Sequence, residues 1–388
     1  MKESTNHLLF SILRSVFHDH QMCSADKLLV TEDSLAAIME LAYKHDIAHI
    51  VALGILNNGL ADEKVKPQIQ QVTFSAVYRY EKINHELDRL CDALETAQIP
   101  FMPLKGSVMR KYYAEPWLRT SCDIDILVHK EDLRGAISYL VDHLNYTEHE
   151  QNSHDVSLYS PGGIHVELHY KLTEDGLSEA FTNILLTAWD SATQKAGSSY
   201  HYEMSDSMFY FYHIVHMAKH FEHGGCGIRP FIDLWILDSI EERDTEEINA
   251  LLQKGTLLRF AEISRKLSKI WLDGDEMEPI TEKMENYVLD GGAYGTLENR
   301  IAVTQQKLGG KIQYAYSKIV LPYYIIKHHY PILQKHPWLT PVMEVCRWFK
   351  LIFCGHAKRS LQELAYNKSI SKSHAEDIKV FLKEMGLS

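Results

Sequence analysis

The chain has 388 residues, of which 45% are hydrophobic and 24% charged, a composition typical of a globular protein with two or three structural units. Its formal net charge is −12, whereas proteins that hold long nucleic acid by its phosphates usually present a basic surface, so bulk DNA or RNA is disfavoured as a partner. The six cysteines form no Cys-x-x-Cys pair, which argues against a disulfide framework and against a structural zinc site. No apolar run is long enough to predict a membrane span, and the N-terminus lacks the features of a signal peptide, so we expect a cytoplasmic protein.

Residues 1–97 predict a helical N-terminal unit. Apolar residues recur at helical spacing in segments such as SLAAIMELAYKHDIAHIVALGIL. Thr31, followed by Glu32 and Asp33, is a typical helix start, because a hydroxyl can cap free backbone N–H groups and acids favour the positive end of the helix dipole.

Residues 98–200 change to alternating strand and helix patterns. IPFMPLKG predicts a short strand that ends at Gly106, SVMRKYY a helix, CDIDILV a strand and EDLRGAISYLVDHL a helix. DVSLYSPGGIHVELHY predicts two strands joined by a Pro-Gly-Gly turn. Residues 201–388 return to helical spacing, interrupted at GGAYG (291–295), which we interpret as a linker. The whole pattern predicts an α+β protein with a helical N-terminal unit, a catalytic core with a small mixed sheet, and a helical C-terminal domain.

Three carboxylates within the predicted core indicate a metal site. Asp123 and Asp125 are two residues apart on a strand, so both side chains point to the same face. Two adjacent carboxylates repel each other unless a cation neutralises them, and Mg²⁺ prefers such hard oxygen ligands, with Mn²⁺ as an alternative. Glu167 on a later strand would complete a two-metal site for an in-line displacement at phosphorus. Solvated acids on an exposed strand face are the structural alternative.

The residues just before the Asp-x-Asp strand are candidates for binding phosphate. Gly106 and Ser107 open a helix directly after a strand, where glycine admits phosphate to the backbone and the free N–H groups attract an anion. Lys105 and Arg119 add positive charge that suits a triphosphate or a leaving pyrophosphate. An ordinary surface cation is an equally simple interpretation of either residue.

The segments LKGSVM, LRTSCDIDILV and HVELH together resemble the nucleotidyltransferase superfamily, whose catalytic fold is shared with DNA polymerase beta. The closer resemblance is to a bacterial family of uncharacterised nucleotidyltransferases. Its members combine Leu-Lys-Gly, an arginine before Asp-Ile-Asp, and a downstream helix with spaced histidines that is followed by Arg and Asp. The resemblance implies a polymerase-beta-like core that uses an NTP such as ATP. It also implies roles for Lys105, Arg119, His216, His220, Arg229 and Asp233.

The spaced histidines leave several interpretations open. His213, His216, His220 and His223 fall along one face of a predicted helix. They could line a substrate cleft, ligate a transition metal or form a polar face with satisfied hydrogen bonds. Arg229 and Asp233 are four residues apart, so a simple helical ion pair competes with a functional role for them.

Segment 317–359 combines basic and aromatic residues and contains a single acid, Glu344. Such a segment can contact an anionic membrane surface from one side, or can pack as a basic, aromatic helix pair on the core, and packing is the simpler interpretation. The basic residues are Lys318, Lys327, Lys335, Arg347, Lys350, Lys358 and Arg359, and the aromatic ones are Tyr323, Tyr324, Tyr330, Trp338, Trp348 and Phe349.

The leading hypothesis is a Mg²⁺-dependent nucleotidyltransferase that moves a nucleotidyl group from an NTP to a hydroxyl of a small-molecule, peptide or protein acceptor. An Asp-x-Asp glycosyltransferase that uses a sugar nucleotide is a second hypothesis, although about ninety helical residues precede the sheet, where that class usually has its nucleotide-binding strand. A non-catalytic nucleotide-binding or toxin–antitoxin module is the third, and the retention of three carboxylates counts against it.

Overall fold

In the computed structural model, which describes residues 2–173, 178–293, 295–321, 323–353 and 357–387, helices precede and follow a small mixed sheet. This confirms the predicted α+β class. Five helices come first: α1 (Lys2–Phe17), α2 (Ser24–Leu28), α3 (Glu32–Lys44), α4 (Ala48–Asn57) and α5 (Lys66–Thr96). The start of α3 is the predicted one, since the Thr31 hydroxyl accepts the backbone N–H of Ser34 at 3.2 Å while the Ser34 hydroxyl accepts that of Thr31 at 2.7 Å.

A five-stranded sheet with the order β1-β2-β5-β4-β3 forms the centre of the chain. β2 and β5 are parallel neighbours, and the other neighbouring strands are antiparallel. The strands, with the helices between them, are β1 (Phe101–Pro103), α6 (Lys105–Met109), β2 (Asp123–Val128), α7 (Leu133–Leu144), β3 (Thr147–Gln151), β4 (Asp155–Tyr159) and β5 (His165–His169). The sequence analysis predicted these elements except β3, an edge strand whose residues TEHEQ are all exposed. The predicted first strand was too long, since β1 ends at Pro103 and α6 already begins at Lys105 and ends at Met109.

The two faces of the sheet have opposite chemistry. Ile124, Ile126 and Val128 alternate with the two aspartates of β2, and they pack with Val166 and Leu168 of β5 against α5 and α7. The polar residues of the same strands lie on the other face. Because the apolar face is completely buried, a one-residue register shift would bury the carboxylates in this core, so the core fixes the direction in which they point.

Helices dominate the chain after the sheet. A short hairpin lies beside β1, because the backbone N–H of Phe101 donates to the carbonyl of Tyr200. The elements are α8 (Glu179–Leu185), β6 (Thr193–Gln194), β7 (Tyr202–Glu203), α9 (Asp206–Glu222), α10 (Arg229–Asp238), α11 (Thr245–Lys254), α12 (Leu258–Leu272), α13 (Pro279–Gly291), α14 (Leu297–Leu308), α15 (Lys311–Ile319), α16 (Tyr323–His329), α17 (Thr340–Phe353), α18 (Ala357–Ser369) and α19 (Lys372–Glu384).

One hydrophobic core joins helices from both ends of the chain. Leu9 of α1, Ile50 of α4, Phe231 of α10 and Trp271 of α12 belong to the same buried cluster. The N-terminal helices therefore share their core with the helices that follow the sheet, whereas the apolar face of the sheet has a separate core with α5 and α7. The predicted domain limits at 97 and 200 remain predictions.

Segment 291–295, which the sequence analysis interpreted as a linker, packs closely against another loop of the chain. Gly292 and Gly295 have φ of +68° and +70°, which glycine adopts without strain. The Cα of Gly295 would lie only 3.3 Å from a Cβ on Gly225, so this segment packs directly on the loop that follows α9. Tyr294 lies outside the described residues.

Segment 317–359 does not bury all its large apolar side chains against the core. Trp338 is 73% exposed and Phe349 58% exposed, and Val342 and Val345 lie near Phe349 along the same side of α17. This argues against complete packing of the segment on the core. The side chains of Tyr324, Lys358 and Arg359 lie outside the described residues. Within the described part of the chain, no helix combines the length and apolar character needed to cross a bilayer.

Candidate active site

A cleft of about 440 Å³ separates the polar face of the sheet from α9 and α10. Both walls contribute side chains that the sequence analysis singled out. These are Lys105, Gly106, Arg119, Asp123, Asp125, Glu167, His213, His216, His220, Arg229 and Asp233. Two of the predicted residues lie elsewhere, since Ser107 lines a different cavity and His223 is exposed at the end of α9.

The three candidate carboxylates lie on neighbouring strands. Asp125 of β2 is directly opposite Glu167 of β5, and Asp123 is opposite His165. Because residues paired across strands point to the same face, all three carboxylates face the cleft. Asp125 is only 4% exposed, whereas Asp123 and Glu167 are partly open to the cleft.

Lys105 approaches these carboxylates from the turn after β1. Its ammonium lies 2.7 Å from Oδ1 of Asp125. Burial alone would lower the pKa of Lys105, but the carboxylate of Asp125 outweighs burial and raises that pKa above its ordinary value. The backbone of Lys105 has φ of +45°, a left-handed conformation that costs about 1–3 kcal/mol in a non-glycine residue. Such strain at the residue that reaches Asp125 supports a functional role for this turn.

His169 is a site residue to which the sequence analysis gave no role of its own. Its Nε2 lies 2.8 Å from Oδ1 of Asp125 and 3.3 Å from Oε2 of Glu167. The alternation in HVELH already placed this imidazole on the same face as Glu167, and that was the available signal. Its role follows from the pairing of β5 with β2, which brings Asp125 to it.

The two aspartates have different electrostatic environments. Burial and the neighbouring Asp125 raise the pKa of Asp123. Burial also favours the neutral form of Asp125, but Lys105 and His169 outweigh it and hold the pKa of Asp125 well below its ordinary value. Asp125 is therefore an anion that protein cations already neutralise, whereas Asp123 is destabilised as an anion. A cation placed beside Asp123 would relieve this repulsion.

The donor set fits a divalent cation. One ligand atom from each of Asp123, His165 and Glu167 lies within 4.8 Å of the others, and the same holds for Asp125, Glu167 and His169. Carboxylate oxygens dominate both groups, and such ligands suit Mg²⁺ or Mn²⁺. Glu167 belongs to both groups, so it would be a candidate ligand for a cation at either position.

Arg119 and Arg229 form ion pairs that the sequence spacing did not predict. Nε of Arg119 donates to both carboxylate oxygens of Asp233, at 2.7 and 3.0 Å, and the hydroxyl of Tyr113 donates to the same carboxylate at 2.7 Å. Arg229 is paired with Asp46 of the loop after α3. The simple helical pair of Arg229 with Asp233 is therefore wrong, because each residue has a partner from a distant part of the chain.

Three of the four spaced histidines face the cleft. Nε2 of His216 and Nε2 of His220 are 3.3 Å apart, and a ring nitrogen of His213 lies 2.9 Å from the carbonyl of Pro230. Burial, together with neighbouring His220 and Lys105, holds the pKa of His216 well below its ordinary value. The fourth, His223, contacts the carbonyl of Lys219 at the exposed end of the helix.

Gly106 and Ser107 differ in their relation to the cleft. A Cβ on Gly106 would lie 3.1 Å from the Cβ of Ser121 and 3.7 Å from Nη1 of Arg119, so glycine allows this loop to approach closely. The hydroxyl of Ser107 is buried, with no hydrogen-bond partner among the described residues. α6 has only five residues, which gives it a weaker dipole than the predicted longer helix.

A comparison with known protein families covers the sheet and the two helices that form the cleft. A family model described as an uncharacterised nucleotidyltransferase matches residues 32–273, more than half of the chain. The matched span includes the sheet, the Lys105 turn and helices α9 and α10. No curated protein and no solved structure matches the chain.

Proposed function

The chain belongs to the family of uncharacterised nucleotidyltransferases, and we propose that it transfers a nucleotidyl group from an NTP to a hydroxyl of an acceptor in a Mg²⁺-dependent reaction. The observation that carries this proposal is the register of β2 and β5, which pairs Asp125 with Glu167 and leaves Asp123 two residues away on the same face. Two-metal catalysis of in-line transfer at phosphorus would use carboxylates in such an arrangement.

The three carboxylates of the cleft have separate roles in the proposed reaction. Asp123, Asp125 and Glu167 would hold divalent cations, which would supply positive charge for the attacking and leaving oxygens. The acceptor oxygen forms a bond to the α-phosphorus while the bond from that phosphorus to the bridging oxygen of the β-phosphate breaks, and pyrophosphate leaves. Glu167, which is partly open to the cleft, would accept the hydroxyl proton.

The two walls of the cleft suit the two substrates. Lys105 and Arg119 line the cleft and supply positive charge for the phosphates, and Gly106 lets its turn approach Ser121 and Arg119 closely. On the facing wall, the acceptor would contact His216, His220 and Arg229, whereas the buried Asp233 would hold Arg119 in place. A volume of about 440 Å³ matches a small molecule or one protein side chain better than a nucleic-acid duplex.

The test compares Asp123→Asn and Asp125→Asn with Asp142→Asn, a matched control at an exposed acid of α7. Each protein is incubated with Mg²⁺, α-labelled NTPs and a fractionated metabolite and peptide mixture, and label transfer is measured. We expect the site variants to lose more than about 100-fold of the wild-type rate, as removal of a metal ligand costs several kcal/mol of transition-state stabilisation. Full activity in both site variants would refute the assignment.

The same assay separates the proposal from the other hypotheses. Labelled sugar nucleotides are run in parallel, and transfer of the sugar instead of the nucleotidyl group would identify a glycosyltransferase. Calorimetry with Mg²⁺ and each NTP completes the comparison. Absence of binding for every NTP would favour a non-catalytic module.

We further propose that segment 317–359 makes peripheral contact with an anionic membrane. Its exposed apolar side chains include Trp338 and Phe349, and its exposed charges at Lys335 and Lys350 are positive in a chain of net charge −12. Cosedimentation with phosphatidylglycerol vesicles should exceed that with phosphatidylcholine vesicles. Trp338→Ser should reduce it while Phe74→Ser, at a 70% exposed residue of α5, should not. Equal cosedimentation of all proteins with both vesicles would refute this contact.

A further inference from the structure

A second cluster of metal-binding side chains lies beside the carboxylates. His154, Asp155 and His169 each offer a ligand atom, and these atoms all lie within 4.8 Å of one another. We propose that these three residues bind a transition-metal ion of the Zn²⁺ type, at a site distinct from the oxygen-rich Mg²⁺ site. This proposal goes beyond nucleotidyl transfer and does not depend on it.

The pairing of β4 with β5 brings the three residues together. Asp155 is directly opposite His169 across these antiparallel strands, and His154 immediately precedes Asp155. Nε2 of His154 lies 2.9 Å from Oδ2 of Asp155, and the rings of His154 and His169 have centroids 5.6 Å apart. Ligands about 2.0–2.2 Å from a tetrahedral zinc are separated from each other by about 3.3–3.6 Å, so only small side-chain shifts are needed.

His169 has the environment of a metal-binding histidine. Its side chain is 3% exposed, and its Nε2 is already engaged by Asp125 and Glu167. Its Nδ1 is buried and has no hydrogen-bond partner among the described residues. An unsatisfied buried polar atom costs about 1–3 kcal/mol, and a bound metal would remove that cost. A metal-binding imidazole usually donates its other N–H to a carboxylate, which Asp125 provides here.

The carboxylate of Asp155 is also oriented for such a role. Asp155 is 2% exposed, and its Oδ1 accepts a hydrogen bond of 2.9 Å from the side-chain amide of Asn152. That bond leaves Oδ2 facing His154. Two imidazoles and one carboxylate are a common protein ligand set for zinc, whereas Mg²⁺ prefers sites made of oxygen alone.

The shared residue links the two sites. Coordination at Nδ1 would fix the ring of His169, and therefore the direction of the Nε2–H that contacts Asp125 and Glu167. His169 would then act as a positioning residue for the carboxylates. The proposed zinc site is thus close enough to influence Mg²⁺ binding without sharing its oxygen ligands.

The experiment measures Zn²⁺ binding by calorimetry to the full chain, stripped of metal and then held in excess Mg²⁺ so that the carboxylates are occupied. Co²⁺ replaces Zn²⁺ in a parallel titration, in which its visible spectrum reports nitrogen ligands in a tetrahedral site. His154→Ala removes one proposed ligand. His165→Ala and His143→Ala are the matched controls, because they remove an imidazole from the carboxylate group and from the exposed end of α7.

We expect wild-type protein to bind one Zn²⁺, His154→Ala to bind it at least about tenfold more weakly, and both controls to resemble wild type. Circular dichroism of each variant verifies that the fold is intact, and Asp155→Asn provides a second ligand variant with the same expected loss. The proposal is refuted if wild-type protein binds no Zn²⁺ in excess Mg²⁺, if His154→Ala binds it as tightly as wild type, or if either control loses as much affinity as His154→Ala.

Discussion

Replacing Arg119 by methionine should destabilise the protein strongly, whatever its effect on catalysis. Arg119 is 9% exposed and Asp233 1% exposed, and the guanidinium Nε is within 3.0 Å of both oxygens of that carboxylate. Removing one partner of a buried ion pair leaves an uncompensated buried charge, which costs about 3–5 kcal/mol. The Tyr113 hydroxyl would remain as a single donor to Asp233, so we expect a loss of about 3 kcal/mol.

The measurement is the free energy of unfolding from urea denaturation at pH 7, followed by circular dichroism. Arg119 holds the pKa of Asp233 below its ordinary value despite burial. A carboxylate with a lowered pKa in the folded state contributes stability that is present above its unfolded pKa near 4 and is lost as the pH falls. At pH 7 the whole contribution is therefore present, and the difference between wild type and variant should shrink in acid.

A double-mutant cycle with Asp233→Leu tests the reasoning itself. If the two side chains stabilise each other, the double variant should be more stable than the sum of the single losses predicts, by about 0.5–3 kcal/mol. Additive losses would show that the two residues are energetically independent and would refute the pair as a structural link. Arg119→Lys should recover part of the lost stability, because it restores the charge without the two-oxygen geometry.

Three further changes test the cleft and the residues packed around it. Ser107→Ala should leave stability unchanged or raise it by up to about 1 kcal/mol in a thermal melt, since it deletes a buried hydroxyl without a described partner; a loss would indicate a missed bond. Lys105→Met should lower the melting temperature, and added Mg²⁺ should raise it more in this variant than in wild type, because Asp125 loses a cation; equal shifts would argue against a metal at Asp125. Burial lowers the pKa of His49 to about 4, so the unfolded state takes up a proton near pH 6.5 before the folded state does, and stability should fall by up to about 3 kcal/mol between pH 6.5 and 4. His49→Gln should flatten that fall in urea titrations at several pH values, and an unchanged slope would contradict this origin.

The strands that carry the carboxylates could be predicted because their sequence pattern is strict. Asp123 and Asp125 alternate with apolar residues that need burial. This alternation alone predicts that the segment is a strand and that both aspartates lie on its polar face. The exposed edge strand β3 has no buried face, and its sequence therefore lacks the apolar alternation that marks a strand. The histidine spacing predicted one shared helix face, and His213, His216 and His220 do line the cleft together, whereas His223 lies exposed at the end of α9.

The ion pairs could not be predicted, because sequence spacing describes only local neighbours. Asp233 is four residues from Arg229, yet it is buried against Arg119, more than a hundred positions earlier in the chain. The role of Gly106 was predicted as room for phosphate, whereas in the folded chain the same lack of a Cβ gives room to Ser121 and Arg119. Both differences arise from packing between distant segments of the chain. The periodicity of a single sequence does not show which distant segments will pack together.

The cleft lies between the sheet and the helices α9 and α10, and this determines which fragments of the protein can fold separately. A fragment of residues 1–200 would retain Asp123, Asp125 and Glu167, yet it would lack Asp233 and leave the Arg119 guanidinium without its carboxylate. The N-terminal helices would also lose their partners in α10 and α12, exposing a wide apolar surface. Such a fragment should aggregate, and two fragments produced together should recover a soluble complex only if the second supplies α9 to α12.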